Sequence, residues 1–290
     1  MCPGVVPSLN ATVMALTQPG ESAIIQPPVY FPFFSAVTQT GRTLIRNPLK
    51  REHGRYVMDF DHLEQCIRDA NARLLLFCSP HNPVGRVWSP DELARLLRIA
   101  EKHDLVIFSD EIHADLIYPG NQHTMLATLE DSANRVITAM APSKTFNIPG
   151  LNLSALIIPD KTLRKSITDV FNTWHVSASN PFSVTAFETA YREGEAWLEA
   201  LRLYLHDTRD CVSAFLSEQL PQIKLIPAEG TYLLWLDCGA LNMNDADLEH
   251  FFIQKAKVGM SPGTLFGDEG SGFMRLNIGA PREIIMQALR

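Results

Sequence analysis

One lysine stands where a buried strand is expected to end. The run at residues 136–140 is apolar and rich in β-branched side chains, as expected of a strand inside an α/β sheet. Pro142 breaks this run, and Lys144 follows two residues later. Open α/β sheets bind their ligands at the carboxyl ends of the strands, so Lys144 could be a covalent catalyst that forms a Schiff base with a carbonyl. A solvated loop lysine is the simpler alternative.

A carboxylate follows the preceding apolar run. Asp110 comes directly after residues 105–109, and His113 and Asp115 follow it closely. A pyridoxal phosphate site needs a carboxylate at the pyridine nitrogen, because protonation of that nitrogen makes the ring an electron sink. Asp110 could fill this role or could be a helix N-cap. A metal site at Asp110, His113 and Asp115 is disfavoured, because no further ligand stands out in the sequence.

Asn82 and Arg275 are the other two candidates. Asn82 begins an Asn-Pro-Val-Gly sequence, which is a turn signal and could be no more than a turn. Arg275 lies within an otherwise apolar predicted strand. Its planar guanidinium fits a carboxylate through two hydrogen bonds, so it could bind an acidic ligand. A buried ion pair would explain Arg275 equally well.

Composition argues against several classes of protein. The 290 residues are 46% hydrophobic and 20% charged, enough for a folded core in one large domain or two ordinary ones. A net charge of -7 without a basic stripe argues against nucleic-acid and membrane partners. Five dispersed cysteines suit reduced thiols, and the sequence has no signal peptide or membrane-spanning run, so a cytoplasmic location is expected. Phosphate-loop, nucleophile-elbow, dinucleotide and H-E-x-x-H zinc motifs are absent from the sequence.

The predicted elements would place the candidate residues at one edge of a sheet. Short apolar runs alternate with helical patterns, one of which starts with a capping box at Ser89 and Glu92. This alternation predicts an α/β fold with a doubly wound, mostly parallel sheet. The predicted strands are 21–26, 42–46, 73–78, 105–109, 135–139 and 153–158, and the clearest predicted helices are 7–17, 59–71 and 89–103.

The chain changes character after Asp160. Long helical stretches reach residue 219 and short strands follow, which predicts a smaller α+β unit. We expect a large cofactor-binding domain at residues 1–190 and a small C-terminal domain at 191–290.

Four motifs in this order resemble the fold-type I pyridoxal-phosphate enzymes of the class I/II aminotransferase superfamily. They are Asn82-Pro-x-Gly85, Asp110 after a strand, Ser143-Lys-Thr-Phe-Asn147 and Arg275-x-Asn277. Together they span nearly the whole chain. Three further stretches are most similar to the cystathionine β-lyase branch, the MalY/PatB-type C–S lyases. These are Pro3-Gly-Val-Val6, Gln26-Pro-Pro-Val-Tyr30, and Ser109-Asp-Glu-Ile-His-Ala-Asp115 together with Ser143-Lys-Thr-Phe-Asn-Ile-Pro-Gly-Leu151.

The resemblance implies roles for the matching residues. Lys144 would be the Schiff-base lysine, Asp110 the partner of the pyridine nitrogen, and Tyr30 the ring stacked on the pyridine, which makes these three the catalytic set. Asn82 would hydrogen-bond the phenolic oxygen of the cofactor. His113 stands where aminotransferases usually have a tyrosine. The implied cofactor-binding set is Lys144, Asp110, Asn82, His113, Tyr30, Ser143, Gly4, Val5 and Val6, with the last four at the phosphate. The implied substrate-binding set is Arg275, Asn82 and Tyr30, with Arg275 on the α-carboxylate.

The sequence departs from the family pattern at two places. Asn152 stands where many aminotransferases have a phosphate-binding Arg or Lys. The chain begins at the phosphate loop, so the N-terminal segment of the family is missing and the small domain is expected to be incomplete.

The resemblance implies a homodimeric C–S β-lyase of amino-acid metabolism that uses pyridoxal 5'-phosphate. Such an enzyme would cleave cystathionine or a related cysteine S-conjugate to a thiol, pyruvate and ammonia, without a metal. A pyridoxal-phosphate aminotransferase is the first alternative. A truncated non-catalytic or regulatory protein of the same fold is the second.

Overall fold

A six-stranded sheet lies in the N-terminal part of the chain. We describe a computed structural model in which residues 1–130, 132, 134–178 and 180–290 are defined. The strands of this sheet are β1 (Ser22–Ile25), β2 (Thr43–Arg46), β5 (Leu74–Cys78), β6 (Val106–Asp110), β7 (Val136–Met140) and β8 (Ala155–Ile157). They run in the order β2-β1-β5-β6-β7-β8, and only the pairing of β7 with β8 is antiparallel. The predicted α/β fold with a mostly parallel sheet is confirmed.

Helices cover both faces of this sheet. The helices are α1 (Val5–Leu16), α2 (Pro32–Thr38), α3 (Phe60–Ala70), α4 (Pro90–Lys102), α5 (Pro142–Thr145) and α6 (Lys161–Thr173). Apolar side chains of α3 and α4, such as Leu63 and Leu96, pack with Leu75 on one face. Those of α1 and α6, such as Leu9 and Ile167, pack on the other. The inner strands β1, β5, β6 and β7 are therefore buried on both sides, which explains their mostly apolar sequences.

Local signals located several helix ends well. Ser89 and Glu92 form the predicted capping box at the start of α4. Asp59 caps α3 by accepting a hydrogen bond from the backbone N–H of His62. Helix α1 begins at Val5 rather than at the predicted Pro7. Proline is tolerated in the first turn of a helix, because backbone N–H groups there have no acceptor within the helix and the missing N–H of proline costs no hydrogen bond.

An antiparallel sheet follows in the C-terminal part. Its strands are β9 (Lys224–Leu225), β10 (Leu233–Asp237), β11 (Ser261–Pro262) and β12 (Phe273–Asn277), in the order β11-β12-β10-β9. The remaining helices are α7 (Pro181–Glu193), α8 (Glu195–Gln219), α9 (Asp245–His250) and α10 (Arg282–Leu289). Leu205 and Val212 of α8 pack with Leu234 of β10 in one apolar cluster. Strands β3 (Lys50–Glu52) and β4 (Arg55–Val57) form a hairpin that the sequence did not indicate, because both strands are short and mostly polar.

No helix in the described part of the chain is both long enough and apolar enough to cross a membrane.

Candidate active site

Three neighbouring parallel strands end side by side. Cys78 is the last residue of β5 and lies opposite Asp110, the last residue of β6. Asp110 in turn lies opposite Ala139 of β7. The chain after β5 carries Asn82, and the chain after β7 carries Lys144 on α5. The carboxyl edge of the sheet therefore brings together residues that are up to 62 positions apart in the sequence, taking Asn82 and Lys144 as the extremes.

One cavity of about 670 Å³ lies at this edge. Every candidate residue of the sequence analysis lines it, namely Gly4, Val5, Val6, Tyr30, Asn82, Asp110, His113, Ser143, Lys144 and Arg275. Residues that follow separate strands thus converge, as we expected. Their individual roles stay predictions.

Asp110 is a buried carboxyl group with few compensating contacts. It is 6% exposed, and burial raises its pKa to about 7. The backbone N–H of Ile112 donates to its Oδ1 at 3.2 Å and, with the charge of Lys144, favours the ionised form. A cation placed against Asp110 would relieve the cost of burying its charge.

His113 lies in the same buried layer. Burial, followed by the charges of Lys144 and Arg275, lowers its pKa to about 3, so the imidazole is neutral near pH 7. Its ring meets the edge of the Tyr232 ring, with centroids 5.7 Å apart. Its Nδ1 has no hydrogen-bond partner among the described residues. His113 therefore offers one polar atom that the protein itself does not satisfy.

Lys144 is half-buried at the second-last position of α5. Within the described part of the chain, its ammonium group makes no hydrogen bond and no ion pair, although the charge of Lys144 acts on Asp110 and His113. An amine held in a cavity without a fixed partner is free to react with a ligand.

The N-terminus of α1 forms another wall of the cavity. Gly4 is its N-cap, at φ 120°, and no side chain caps the first turn. That turn also contains no acidic residue. The free backbone N–H groups of such a helix end suit an anion. Asn152 lies on the same cavity and is uncharged, as the sequence indicated.

Arg275 reaches the cavity from β12 of the antiparallel sheet. Its Nη1 donates to Oδ1 of Asn82 at 3.0 Å and its Nη2 donates to Oγ of Ser261 at 3.1 Å. The guanidinium carbon lies 4.7 Å from the ring centre of Phe266. Burial lowers the pKa of Arg275, and none of its bonds is to a carboxylate among the described residues. The alternative of a buried ion pair is therefore wrong.

Tyr232 is a cavity residue that the sequence analysis missed. It lies next to Thr231, whose φ of 71° is in the left-handed region that β-branched residues rarely adopt. The backbone of Thr231 is fixed from both sides, because its N–H donates to the carbonyl of Leu116 and its carbonyl accepts from the Tyr118 hydroxyl, each at 2.6 Å. Gly230 was the one available signal, since a Cβ there would lie 2.6 Å from the Leu116 carbonyl oxygen. Such buried strain is concentrated at functional sites.

The site does not use all of the polar residues near these motifs. His81 precedes Asn82 but is buried behind the cavity, where its Nε2 lies 2.9 Å from the carbonyl oxygen of Pro28. Asp115 accepts a hydrogen bond from Thr145 rather than joining a metal-ligand group. Among the described residues, no group of three or more His, Cys, Asp or Glu side chains is placed to hold a metal ion.

Comparison with known proteins places this geometry in a family. The family model for aminotransferases of class I and II matches residues 1–290. The chain is 42% identical to cystathionine β-lyase PatB of Bacillus subtilis, over 99% of the chain and 75% of PatB. Cystalysin of Treponema denticola, solved with pyridoxal 5'-phosphate, is 41% identical with a TM-score of 0.97 over 99% of this chain and 73% of cystalysin. A pyridoxal-phosphate-bound C–S lyase of Staphylococcus hominis is 35% identical with a TM-score of 0.92, over 99% and 74%. The chain belongs to the class I and II aminotransferase family.

Proposed function

We propose that the chain is a pyridoxal-phosphate-dependent C–S β-lyase that cleaves cystathionine or a related cysteine S-conjugate. The convergence of Lys144, Asp110 and Arg275 on one cavity carries this proposal. It combines a reactive amine, a buried acid and a carboxylate-binding guanidinium in one site. The names of PatB and the C–S lyase of Staphylococcus hominis favour the lyase within the family.

The residues present fit pyridoxal 5'-phosphate. Asp110 is a buried carboxyl group with no cation in hydrogen-bond contact among the residues that the structure describes, and a protonated pyridine nitrogen would be such a cation. The uncapped N-terminus of α1 suits the phosphate, with Gly4, Val5, Val6 and Ser143 as its contacts. Lys144 would bind the aldehyde carbon, while Tyr30 and His113 would lie against the ring. Pyridoxal phosphate, when bound, supplies electron withdrawal from the substrate Cα.

The residues of the chain would then divide the remaining work. Arg275 binds the α-carboxylate of the substrate through two hydrogen bonds, which fixes the orientation of Cα. Asn82 holds Arg275 in place through the bond from Nη1. Lys144, released from the cofactor when the substrate amine takes its place, would accept the proton from Cα at its free Nζ, after which the Cβ–S bond breaks and a thiolate leaves. Asp110 would hold the pyridine nitrogen, and a protonated nitrogen there would favour the ionised carboxylate. The remaining three-carbon enamine then takes up water, so the products are a thiol, pyruvate and ammonia.

The two alternatives have less support. An aminotransferase would use the same Lys144, Asp110 and Arg275, so the site geometry does not favour it over a lyase, whereas the similarity to named lyases does favour the lyase. A non-catalytic protein has no need of an amine, an acid and a guanidinium in one cavity, and all three are present here.

Three broader properties belong to the same proposal. We propose a large cofactor-binding domain at residues 1–190 and a small domain at 191–290, supported by the separate parallel and antiparallel sheets. We propose a homodimer, supported by large apolar side chains on the surface, including Phe182 at 78% exposure and Trp197 at 48%. Five free cysteines support a reducing, cytoplasmic location.

The function is tested by the products of a single reaction. The purified chain is mixed with pyridoxal phosphate and L-cystathionine, and free thiol and pyruvate are measured. We expect both products to accumulate together. If the substrate loses its amino group to the cofactor without releasing a thiol, the chain is an aminotransferase and the lyase proposal is wrong.

A further inference from the structure

The helix that carries Lys144 is too short to fix its own position. Helix α5 has four residues. Its backbone bonds are few, with Phe146 N donating to the Pro142 carbonyl at 2.8 Å and Ile148 N donating to the Ser143 carbonyl at 3.2 Å. A single helical turn is only marginally stable, because its formation fixes the backbone of several residues for each hydrogen bond gained. The orientation of Lys144 must come from contacts outside α5.

Asp115 supplies one of these contacts. The Oγ1 of Thr145, directly after Lys144, donates to Oδ2 of Asp115 at 2.8 Å. Thr145 is fully buried, so its hydroxyl has no access to water as a substitute partner. The hydroxyl of Tyr191 on α7 donates to the same oxygen at 3.4 Å. Burial, and after it the charge of Asp115, raises the pKa of Tyr191, which keeps this hydroxyl protonated.

Asp115 does not have the usual role of an aspartate near a surface. Among the described residues it forms no ion pair with a lysine, arginine or histidine, and its Oδ2 accepts hydrogen bonds from two hydroxyl groups. It lies five residues after Asp110 and two after His113, in the same short loop after β6. The carboxylate of Asp115 therefore connects the loop that follows the buried acid Asp110 to the segment that carries Lys144.

A second set of contacts packs the ring of Phe146, the residue that directly follows α5. The ring of Phe146 lies 5.6 Å from that of Tyr191 and 5.7 Å from that of Trp197. Gly194, between α7 and α8, makes this packing possible, because a Cβ there would lie 2.3 Å from the Phe146 ring. Because the ring of Phe146 is already packed, the hydrogen bond from Thr145 to Asp115 sets the rotation of α5 about its own axis.

We propose that Asp115 is a positioning residue for Lys144. Through Thr145 it fixes the lysine relative to Asp110 and His113, so that the amine faces the carbon that it must reach. The proposal rests on the proposed function, since it assumes that Lys144 binds pyridoxal phosphate. It assigns Asp115 no contact with substrate or cofactor.

The test uses two substitutions that differ by one hydroxyl group. Thr145→Val keeps the shape of the side chain and loses the donor, whereas Thr145→Ser keeps the donor. Each variant is mixed with pyridoxal phosphate, the linkage is trapped with borohydride, and the modified Lys144 peptide is quantified by mass spectrometry over time. We expect attachment to slow about 10- to 100-fold in Thr145→Val and to stay within about twofold of the native rate in Thr145→Ser.

A double-substitution cycle identifies the partner. Asp115→Ala is expected to slow attachment at least as much as Thr145→Val, because it removes the acceptor of Thr145 and also that of Tyr191. Adding Thr145→Val to Asp115→Ala should slow attachment no further, since the Thr145 contact is already lost. The kcat for the lyase reaction should fall in parallel while KM changes by less than about twofold. Asp169→Ala, at an exposed aspartate paired with Lys165, is the matched control and should behave like the native chain.

The outcomes separate this proposal from the proposed function. Native attachment rates in Thr145→Val, or fully additive effects in the double variant, would overturn the positioning role and leave the lyase untouched. A native chain that attaches the cofactor at Lys144 but releases no thiol would overturn the lyase, and the attachment rates would still decide the role of Asp115.

Discussion

The carboxyl edge of the parallel sheet and the facing side of the antiparallel sheet contribute to one cavity by different means. Asp110 ends β6, and Lys144 follows β7 closely, so the strands themselves bring these residues near each other. Arg275 lies on β12 of the antiparallel sheet and Tyr232 directly before β10, and their positions depend on side-chain contacts and a strained backbone. Backbone topology therefore places the acid and the amine, whereas tertiary contacts place the groups that face them.

The largest effect should come from removing the amine at the parallel edge. We expect Lys144→Ala to lower kcat by about 10²- to 10⁴-fold, because the proton at Cα loses its acceptor. Release of pyruvate from L-cystathionine measures this. Lys165→Ala, at an exposed lysine on α6, is the control and should retain native activity. Substantial turnover by Lys144→Ala would show that another group takes the proton.

The buried acid and the buried imidazole at this edge should give opposite pH dependences. Asp110 has its pKa raised from 3.8 to about 7, so in the cofactor-free chain its contribution to the free energy of unfolding is full below pH 3.8 and is lost as the pH rises through 7. His113 has its pKa lowered from 6.5 to about 3, so its contribution is present above pH 6.5 and is lost as the pH falls through 3.

Urea unfolding of two variants can separate these contributions. Relative to the native chain, Asp110→Asn should gain stability between about pH 4 and pH 8, by at most about 4 kcal/mol. His113→Gln should instead gain relative stability as the pH falls from about 7 to 4. A shift in the same direction for both variants would mean that the two groups do not titrate as burial requires.

Arg275 tests the antiparallel side of the cavity. We expect Arg275→Gln to lower kcat/KM for the amino-acid substrate by about 10- to 100-fold, since hydrogen bonds to a charged carboxylate are lost. Steady-state kinetics would measure the change. Arg51→Gln removes an arginine that pairs with Asp237 at 2.9 Å outside the cavity, and it should have little effect on kinetics. Equal losses in the two variants would place the effect in folding rather than in substrate binding.

The smallest expected effect concerns the support of Arg275. Ser261→Ala removes the acceptor for Nη2 and should raise KM by about 2- to 10-fold with kcat nearly unchanged. Ser271→Ala, at an exposed serine that donates to Asp245 at 2.8 Å, is the matched control. An unchanged KM in Ser261→Ala would show that Asn82 and Phe266 are enough to hold the guanidinium.

The sequence predicted the parallel edge better than the side that faces it. Apolar runs and turn residues repeat locally, so the strand ends before Asn82, Asp110 and Lys144 could be found without a structure. Helix α4 could be located for the same reason, since its capping box lies within four consecutive residues.

The missed features depend on contacts between distant residues. The strain at Thr231 requires Leu116 and Tyr118, and the orientation of Arg275 requires Ser261, none of which is a local pattern. The antiparallel direction of β8 and the polar hairpin of β3 and β4 are likewise set by tertiary pairing rather than by side-chain periodicity.

The central claim is that one cavity, built from both regions, breaks a carbon–sulfur bond. The most direct measurement follows thiol and keto acid in the same sample over many turnovers of L-cystathionine with pyridoxal phosphate. We predict one thiol for each pyruvate, with both rising well beyond one equivalent per chain. A keto acid that stops at one equivalent per chain, without any thiol, would contradict the account.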